Sequence, residues 1–464
     1  MRNEYLDLRE KFYFKTIVAD FEAVCQRYVR QYASEWAAAA PKRKKEIEWI
    51  IGNLAIDAMS YIPDWKFKKT GGNAEGALKA GYAILTEQLK AWGAEDQLSE
   101  TKKEVWELQN SNLIRVSRAN DLGLLNTPIG TDAAWDLVHS SRHGTCIATT
   151  NPVMVDTVRG KYPEVWNPVR DEIAKNHPNA SNEEKVEIFT LEVIKYNCKV
   201  LMPIFECTDE RVGYVHMQGN PNYAKDSVKM AEEAEYAYHE LEKYFGKKPN
   251  IIFKIPAVSA ARATIERLVA QGICVTVTAC ASVSQHKVFA ETMKNGKAKL
   301  QLVVMMTGRF DDPIIEELKA AGLSAEEAVA LGRTASTAVI NRTYAMLHND
   351  LKIENVWLLV ASMRVIGNIE AVYNDHVQPT FLSIFPPQAE EYESILRPVS
   401  PGIGRPYCEE ALNKLLALSD TFRKGYEYDA MTAEEFDDYL CVTATMAQFR
   451  KRYNDTVEYL NEKK

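Results

Sequence analysis

The stretch Asn250–Thr278, NIIFKIPAVSAARATIERLVAQGICVTVT, decides the fold of this chain. Two apolar runs, Ile251–Ile255 and Ile273–Thr278, have the composition of buried strands and flank a short helical segment. Ser259 is the expected N-cap of that helix, and Gly272 stands where a left-handed residue would end it. The pattern predicts a β-α-β unit, and therefore parallel strands joined by a right-handed crossover.

Lys254 is the anomaly of this unit, because it places a cation inside the apolar run IIFKIP at residues 251–256. Burial strips water from an ammonium group, so its pKa falls and the neutral amine becomes available as a nucleophile. A neutral lysine at the carboxyl end of a parallel strand can form a Schiff base with a carbonyl substrate. For a lone lysine, a side chain that reaches from the strand end into solvent is the simpler interpretation.

The same segment resembles the transaldolase family, whose signature is a lysine in an apolar strand followed by Ile-Pro-Ala. Residues Lys254–Ala257 and Gly272-Ile273 match that signature, as does Thr278 on the second strand. The resemblance extends from about Cys146 to Ser383. It implies an α/β fold, a (β/α)₈ TIM barrel, with Lys254 as the Schiff-base lysine and with no metal or organic cofactor.

Length and composition set the domain organisation. The 464 residues exceed the ~250 of a plain (β/α)₈ barrel, and the flanking segments look helical. We therefore predict a helical N-terminal extension at 1–110, the barrel at 111–388 and a helical C-terminal segment at 389–464. An apolar content of 46% and a charged content of 26% are those of a soluble globular protein.

Charge and hydropathy predict which partners the chain has. A net charge of −8 argues against a nucleic-acid surface, and no apolar run reaches the ~18 residues of a membrane span. The N-terminus lacks the apolar region of a signal peptide, and the eight cysteines are scattered singly. We expect a cytoplasmic protein with reduced core cysteines. Because terminal helical additions often make subunit contacts, we also expect a homo-oligomer.

Two segments resemble the second and third strands of the family. The sequence CIATTNP at residues 146–152 matches a strand that ends in Thr-Thr-Asn-Pro, which implies that Thr150 and Asn151 contact substrate hydroxyls. In YVHMQGNP at residues 214–221, Gln218 replaces the glutamate with which the family shuttles a proton through water. An amide cannot do this. His216 shares a strand face with Gln218 and is a candidate replacement, although a hydrogen-bonded structural histidine is equally consistent.

Later strands supply the remaining candidate binding residues. Thr276 and Thr278 alternate on one strand face, as a pocket-lining strand requires, although the family carries asparagine where Thr276 stands. Arg309 follows a strand in a Gly-Arg-x-x-Asp-like sequence, where it can pair with a phosphate or an internal carboxylate. Ser362 and Arg364 lie in ASMR after the seventh predicted strand, which resembles the family's phosphate-holding Ala-Ser-Phe-Arg. A sulfonate or sulfate would suit the same groups.

The first strand is the weak point of the resemblance. We assign it to Leu113–Val116, followed by a helix over Asp132–Ser140. The family's first strand ends in an aspartate, but no acid ends this one, and Asp121 is the nearest candidate. Downstream we expect a long loop from Val155 to about Glu183 and a strand-like stretch at Val200–Phe205.

The function predicted from these residues is aldol chemistry on a phosphorylated, or similarly anionic, ketose, with transfer or release of a dihydroxyacetone unit. By the resemblance this places the chain in carbohydrate metabolism, in the pentose phosphate pathway. Two alternatives stay open: a non-catalytic or regulatory sugar-phosphate-binding relative, and an unrelated barrel enzyme that uses Lys254 as a base. An amine in an apolar strand favours an enzyme, because burying it is destabilising unless it is used.

Overall fold

The structure is a computed structural model that describes residues 2–135 and 137–462. Its centre is a closed barrel of eight parallel strands, each hydrogen-bonded to the next, with the eighth paired to the first. This confirms the predicted (β/α)₈ barrel. The strands are β1 Ile129–Asp132, β2 Ile147–Thr149, β3 Tyr214–Gln218, β4 Ile251–Pro256, β5 Cys274–Thr278, β6 Gln301–Met306, β7 Trp357–Ala361 and β8 Thr380–Ile384.

A helical extension precedes the barrel. Its helices are α1 Arg2–Glu10, α2 Phe21–Ala38, α3 Pro41–Ala58, α4 Ile62–Trp65, α5 Ala74–Ala91, α6 Glu95–Gln109 and α7 Asn112–Asp121. The helices that alternate with the strands are α8 Leu137–Arg142, α9 Pro152–Lys161, α10 Pro163–Asn176, α11 Asn182–Cys207, α12 Ser227–Phe245, α13 Ala261–Ala270, α14 Val283–Met293, α15 Thr307–Ala320, α16 Ala325–Gly332, α17 Ala335–Ala345 and α18 Ile366–Glu370.

Four helices follow the barrel: α19 Pro386–Glu393, α20 Glu409–Leu418, α21 Asp420–Tyr426 and α22 Leu440–Leu460. The last of them packs against α9, α11 and α15 and so crosses the carboxyl ends of the strands. Arg452 on α22 pairs with Asp156 at 3.1 Å, and Tyr459 donates a hydrogen bond of 2.9 Å to Asn167. Among the described residues, no helix is long and apolar enough to cross a bilayer.

The unit that decides the fold forms β4, α13 and β5, as the sequence predicts. Gly272 adopts a φ of 81°, the left-handed conformation that ends α13 at low steric cost. The expected N-cap is wrong, because α13 starts at Ala261 with Ala260 at the cap position. Ser259 instead donates its hydroxyl (2.6 Å) and its backbone N–H (2.7 Å) to the carboxylate of Asp437, tying the unit to the C-terminal segment.

The predicted first strand is also wrong. Leu113–Val116 lies inside α7, whose N-terminus is capped by Ser111, the side chain of which accepts a hydrogen bond from the N–H of Ile114. The true first strand is β1, four residues long, and it ends at Asp132. The acid that we placed at the start of a helix therefore stands at the carboxyl end of the first barrel strand.

Two expectations between β2 and β3 fail for local reasons. The predicted loop after Val155 is helical, because Asn151 caps α9 and Pro152 occupies its first turn. The strand-like stretch Val200–Phe205 belongs to α11, which continues through Pro203. A short apolar run does not distinguish a buried helix from a strand, and here the helix is buried along this run.

A buried ionic network joins the extension to the barrel. Arg142 on α8 donates to the carboxylates of Asp57 at 2.7 Å and Glu104 at 2.6 Å. Arg9 lies 3.3 Å from the same Asp57 carboxylate, and the side chains of Arg9, Asp57 and Arg142 are all buried. The Tyr5 hydroxyl also donates to Asp57 at 2.6 Å, and the Nδ1 of His139 lies 3.4 Å from Glu104, so the network holds α1, α3, α6 and α8 in one arrangement.

We expect Asp57→Ala to destabilise the protein by about 3–5 kcal/mol, because it leaves two buried guanidinium groups without their shared carboxylate. Chemical denaturation would measure this change in the free energy of unfolding. Glu107→Ala, which removes a half-exposed carboxylate 3.7 Å from Lys103, is the matched control and should change stability by less than about 1 kcal/mol. Equal effects of the two substitutions would contradict a role for the network.

Glu187 and Glu233 give stability a pH dependence of definite sign. Burial raises the pKa of Glu187 to about 8, with further repulsion from Glu233, and raises that of Glu233 to about 7. The folded chain therefore holds protons that the unfolded chain releases near 4.5. Their contribution to stability is complete below that pH and is lost as the pH rises through 7 to 8.

Accordingly, Glu187→Gln and Glu233→Gln should each reduce the loss of stability between pH 5 and 8 by on the order of 1–2 kcal/mol. Denaturation curves at both pH values, for wild type and each variant, would measure this. Glu232→Gln, at an exposed position on α12 next to Glu233, serves as the control. A wild-type-like pH profile in both glutamine variants would refute the assignment.

Candidate active site

Lys254 lies inside the barrel, at the same level as Gln218 on β3 and Thr276 on β5, which are its direct neighbours in the strand register. Its side chain is buried, with 7% of the residue exposed. Burial lowers its pKa, and the negative charge of Asp132 partly opposes this shift. Because the amine is enclosed, the structure is inconsistent with a lysine side chain that reaches from the strand end into solvent.

Asp132 is the functional candidate that the sequence analysis missed. Burial raises its pKa, while the charge of Lys254, a hydrogen bond from Thr149 and the charge of Arg364 oppose the rise. The Thr149 hydroxyl donates to Asp132 Oδ1 at 2.9 Å and lies 2.6 Å from the Ser383 hydroxyl on β8. Because Thr149 has one proton to give, Ser383 donates to Thr149, and the chain of hydrogen bonds ends at Asp132.

The signal for Asp132 was its position after Ile129-Gly130-Thr131, one short helix ahead of the strand at Ile147. Asp121, the acid nearest the wrongly assigned strand, belongs elsewhere. It ends α7 and accepts a hydrogen bond of 2.6 Å from the Tyr61 hydroxyl. Because the first strand was assigned to the wrong segment, the acid nearest its end was also assigned wrongly.

His216 is fully buried and both ring nitrogens have partners. Its Nδ1 lies 3.2 Å from the carbonyl oxygen of Ala148, and its Nε2 lies 2.9 Å from the hydroxyl of Thr276. A carbonyl only accepts, so Nδ1 carries the proton and Nε2 accepts from Thr276. Burial and the charge of Lys254 lower its pKa to about 3. These contacts favour a neutral histidine that orients Thr276 over one that shuttles protons.

Gln218 presents an amide with nothing to bind. Only 6% of the residue is exposed, and neither Oε1 nor Nε2 has a hydrogen-bond partner among the described residues. Leaving a buried amide unpaired is costly, on the order of 1–3 kcal/mol. The side chain stands in register with Lys254 and offers one acceptor and two donors to a molecule bound beside the amine.

The other residues that we predicted to contact substrate hydroxyls differ in how many of their hydrogen-bonding groups are already used within the protein. The Thr150 hydroxyl donates to the carbonyl of His216 at 2.6 Å, so its proton is already used. Asn151 accepts from the N–H groups of Val153 and Met154 through Oδ1, which leaves its Nδ2 protons as donors. Thr278 is buried and its hydroxyl has only a weak acceptor, the sulfur of Met306 at 3.8 Å.

A group of cations lies after β6 and β7. Arg364 donates to the carbonyl (2.9 Å) and hydroxyl (3.3 Å) oxygens of Ser362, and its Nε lies 3.5 Å from the half-exposed carboxylate of Asp312. Burial and the charge of Arg364 lower the pKa of Arg309, whose Nε is buried without a partner. Arg309 also bonds to Gln448 on α22. Asp312 also pairs with Arg333 at 2.5 Å, so the positive charges of Arg309, Arg333 and Arg364 exceed the charge of this carboxylate, which favours binding of an anion.

The backbone around these arginines is shaped to bring them together. Ser362 has a φ of 64°, a left-handed conformation that non-glycine residues adopt at a cost. A Cβ at Gly308 would lie 2.5 Å from Arg364 Cζ and 2.5 Å from the Ser362 carbonyl oxygen. Glycine at 308 is therefore what allows the Arg364 guanidinium to lie against the first turn of α15.

Known proteins are similar to this chain in sequence. A sequence model of the family described as transaldolase/fructose-6-phosphate aldolase matches residues 138–455. The chain belongs to this family. Among curated relatives, the transaldolase of Thermobifida fusca is 28% identical over 167 residues, which are 33% of this chain and 44% of that protein.

Other transaldolases match over different shares of their length. The protein of Mycobacterium marinum is 25% identical over 254 residues, 51% of this chain and 64% of its own, and that of Helicobacter pylori is 27% identical over 169 residues, 36% and 50%. The chain thus spans about half the length of the curated relatives that it matches. Residues 2–135 of the structure, which hold the extension and β1, precede the family match.

Gly308→Ala should weaken anion binding at Arg364 by about tenfold, because the new methyl group displaces the guanidinium. The thermal stabilisation of the protein by inorganic phosphate reports this binding. Gly367→Ala is the control, since a Cβ there meets nothing within 4 Å. If phosphate stabilises both variants as it does wild type, the anion is bound elsewhere.

Proposed function

We propose that the chain is a transaldolase-type enzyme in which Lys254 forms a Schiff base with a phosphorylated, or similarly anionic, ketose. The observation that carries the proposal is a buried amine of lowered pKa with a buried carboxylate, Asp132, close enough to oppose the shift. An amine kept out of water is a nucleophile, and the carboxylate supplies a group to exchange protons with.

The reaction begins when the neutral Lys254 amine adds to the ketose carbonyl. The hydroxyl of this adduct takes up a proton and leaves as water, giving an iminium ion. A base removes the proton of the C4 hydroxyl, the C3–C4 bond breaks and an aldose departs. The electron pair of the broken bond enters the iminium, which becomes an enamine. The enamine then attacks the aldehyde of an acceptor, whose oxygen takes up a proton, or it is itself protonated at carbon. In both cases water hydrolyses the resulting iminium, which releases the new ketose or dihydroxyacetone and frees Lys254. We assign the base to Asp132, because its pKa is raised and it interacts with Lys254.

The other residues position the sugar. Gln218 offers its unpaired amide, Asn151 its free Nδ2 protons, and Thr276 and Thr278 their hydroxyl oxygens. Ser362, Arg364 and Arg309 hold the anionic end. His216 orients Thr276, and Thr150 is tied to the middle of β3 through its bond to the His216 carbonyl. Gln218 thus contributes binding where the family's glutamate shuttles a proton.

A non-catalytic sugar-phosphate-binding protein was the alternative, and its support was the loss of both family carboxylates, one at the end of the first strand and one at Gln218. Asp132 offers an acid at the end of the first strand, which leaves Gln218 as the remaining departure. Use of Lys254 as a base instead of a nucleophile predicts no covalent adduct, which separates it from the Schiff-base proposal.

Borohydride treatment with fructose 6-phosphate should add a reduced six-carbon or three-carbon unit to Lys254, since reduction traps the iminium. Peptide mass spectrometry would locate the adduct. Lys254→Met, which keeps the length of the side chain without its amine, should show none. Wild-type protein without an adduct from this ketose and from a panel of other anionic ketoses would refute the proposal.

Asp132→Asn should leave borohydride trapping in place but slow aldol cleavage by roughly 10²–10⁴-fold, because the amide cannot accept the C4 hydroxyl proton. Single-turnover release of the aldose measures cleavage separately from adduct formation. Asp429→Asn, at an exposed position, is the control and should cleave at the wild-type rate. Undiminished cleavage by Asp132→Asn would show that another group is the base.

A further inference from the structure

A second cavity, of about 390 Å³, lies at the opposite end of the barrel from Lys254. Its barrel wall consists of residues at or just before the starts of strands: Ile129, Cys146, Leu300, Trp357 and Phe381. The helical extension closes it from below with residues of α4, α7 and the turns beside them: Tyr61, Trp65, Lys69, Ser117, Asn120 and Asp121. The cavity therefore exists only because the extension packs against the barrel, and its size suits a small molecule.

Two aromatic pairs form much of its wall, one from each side. Tyr61 and Trp65 on the extension pack edge to face, with ring centroids 5.3 Å apart. Trp357 and Phe381 on β7 and β8 have centroids 6.4 Å apart. Both pairs are held by polar contacts: the Tyr61 hydroxyl donates to Asp121 at 2.6 Å, and the Trp357 indole donates to Gln378 at 2.8 Å. Rings fixed in this way form surfaces against which a flat ring can pack.

The rim of the cavity carries three cations, of which Arg211 donates a hydrogen bond of 3.1 Å to the Thr208 carbonyl. Lys69, Arg211 and Lys299 line it and are exposed, and none forms an ion pair with a carboxylate in the part of the chain that the structure describes. Two of the three acids in the lining are already engaged. Asp121 accepts from Tyr61, and Glu210 pairs with Lys248 at 2.5 Å.

Only Glu210 is paired with a cation, so the carboxylates of Asp121 and Asp209 face three positive charges and the rim has an excess of one positive charge. The turn that carries Asp209, Glu210 and Arg211 is also fixed in place. Asp209 and Glu210 are both left-handed, and a Cβ at Gly213 would lie 2.3 Å from the backbone nitrogen of Phe205. Arg211 is thus presented from a tightly packed turn.

We propose that this cavity binds a planar aromatic anion of the nucleoside monophosphate class. The heterocycle packs against the aromatic walls, and the phosphate lies at the rim formed by Lys69, Arg211 and Lys299. The site is separate from the barrel mouth and goes beyond the proposed aldol chemistry. Tyr61, Trp65 and Lys69 precede the segment that matches the family, so the site is built from what this chain adds to it.

Isothermal titration of the full chain with AMP tests the proposal. Adenosine carries the ring without the charge, and ribose 5-phosphate carries the charge without the ring. We expect AMP to bind and each fragment to bind at least about tenfold more weakly, because each lacks one of the two contacts. GMP, CMP and UMP extend the panel, and the absence of measurable binding by all four nucleotides at millimolar concentration overturns the proposal.

Charge reversal locates the site. Lys69→Glu combined with Lys299→Glu should weaken nucleotide binding by at least about tenfold. Lys66→Glu combined with Lys297→Glu is the matched control, because both lysines are exposed and neither lines the cavity. The control should bind like wild type.

Arg364→Ala distinguishes this cavity from the barrel mouth. If it abolishes nucleotide binding while the Lys69/Lys299 variant binds normally, the nucleotide occupies the anion site at Arg364 and the proposal is wrong. Borohydride trapping tests Lys254, at the other end of the barrel, and is independent of nucleotide binding. If trapping fails, the nucleotide result is unaffected, and if nucleotide binding fails, the Schiff-base proposal is unaffected.

Discussion

The structure depends on one constraint, the enclosure of the Lys254 amine and the Asp132 carboxylate inside the same barrel. Burial favours the neutral form of each, so the pKa of the lysine falls while that of the aspartate rises. Their mutual attraction opposes both shifts. Two groups whose pKa values are drawn toward each other can pass a proton between them or to a bound sugar, which isolated residues in water would not do near neutral pH.

The surrounding polar groups follow from this arrangement. Buried polar side chains of the barrel interior bond to one another, and two of these bonds skip a strand. Ser383 on β8 bonds to Thr149 on β2 across β1, and His216 on β3 bonds to Thr276 on β5 across β4. Thr149 in turn donates to Asp132 on the adjacent β1. Gln218 is the exception in this layer. An unpaired amide beside the amine is costly unless a bound molecule supplies its partners.

The sequence predicts the barrel and the lysine because their signals are local. The strands of the β4–α13–β5 unit are apolar runs separated by an amphipathic helix. Seven of the eight strands, β2 to β8, lie in segments that the sequence assigns correctly, β2 and β3 among them by the family resemblance. β1 was missed because Ile-Gly-Thr-Asp contains a single large apolar residue, whereas Leu113–Val116 is apolar on the buried face of a helix. The partners of His216 were beyond sequence reasoning, since Ala148 and Thr276 are 68 and 60 residues away along the chain.

The helical extension also contributes to the enclosure of Asp132. Asp132 ends a strand of four residues, too short to be fixed by its own ladder hydrogen bonds alone. The helix that follows this strand carries Arg142, whose guanidinium is held in the extension by Asp57, Glu104 and Asn53. A network of buried charges tolerates few alternative arrangements, because displacing any member leaves another unpaired. The extension therefore anchors the segment next to Asp132 from outside the barrel, while Thr149 and Ser383 hold its carboxylate from inside.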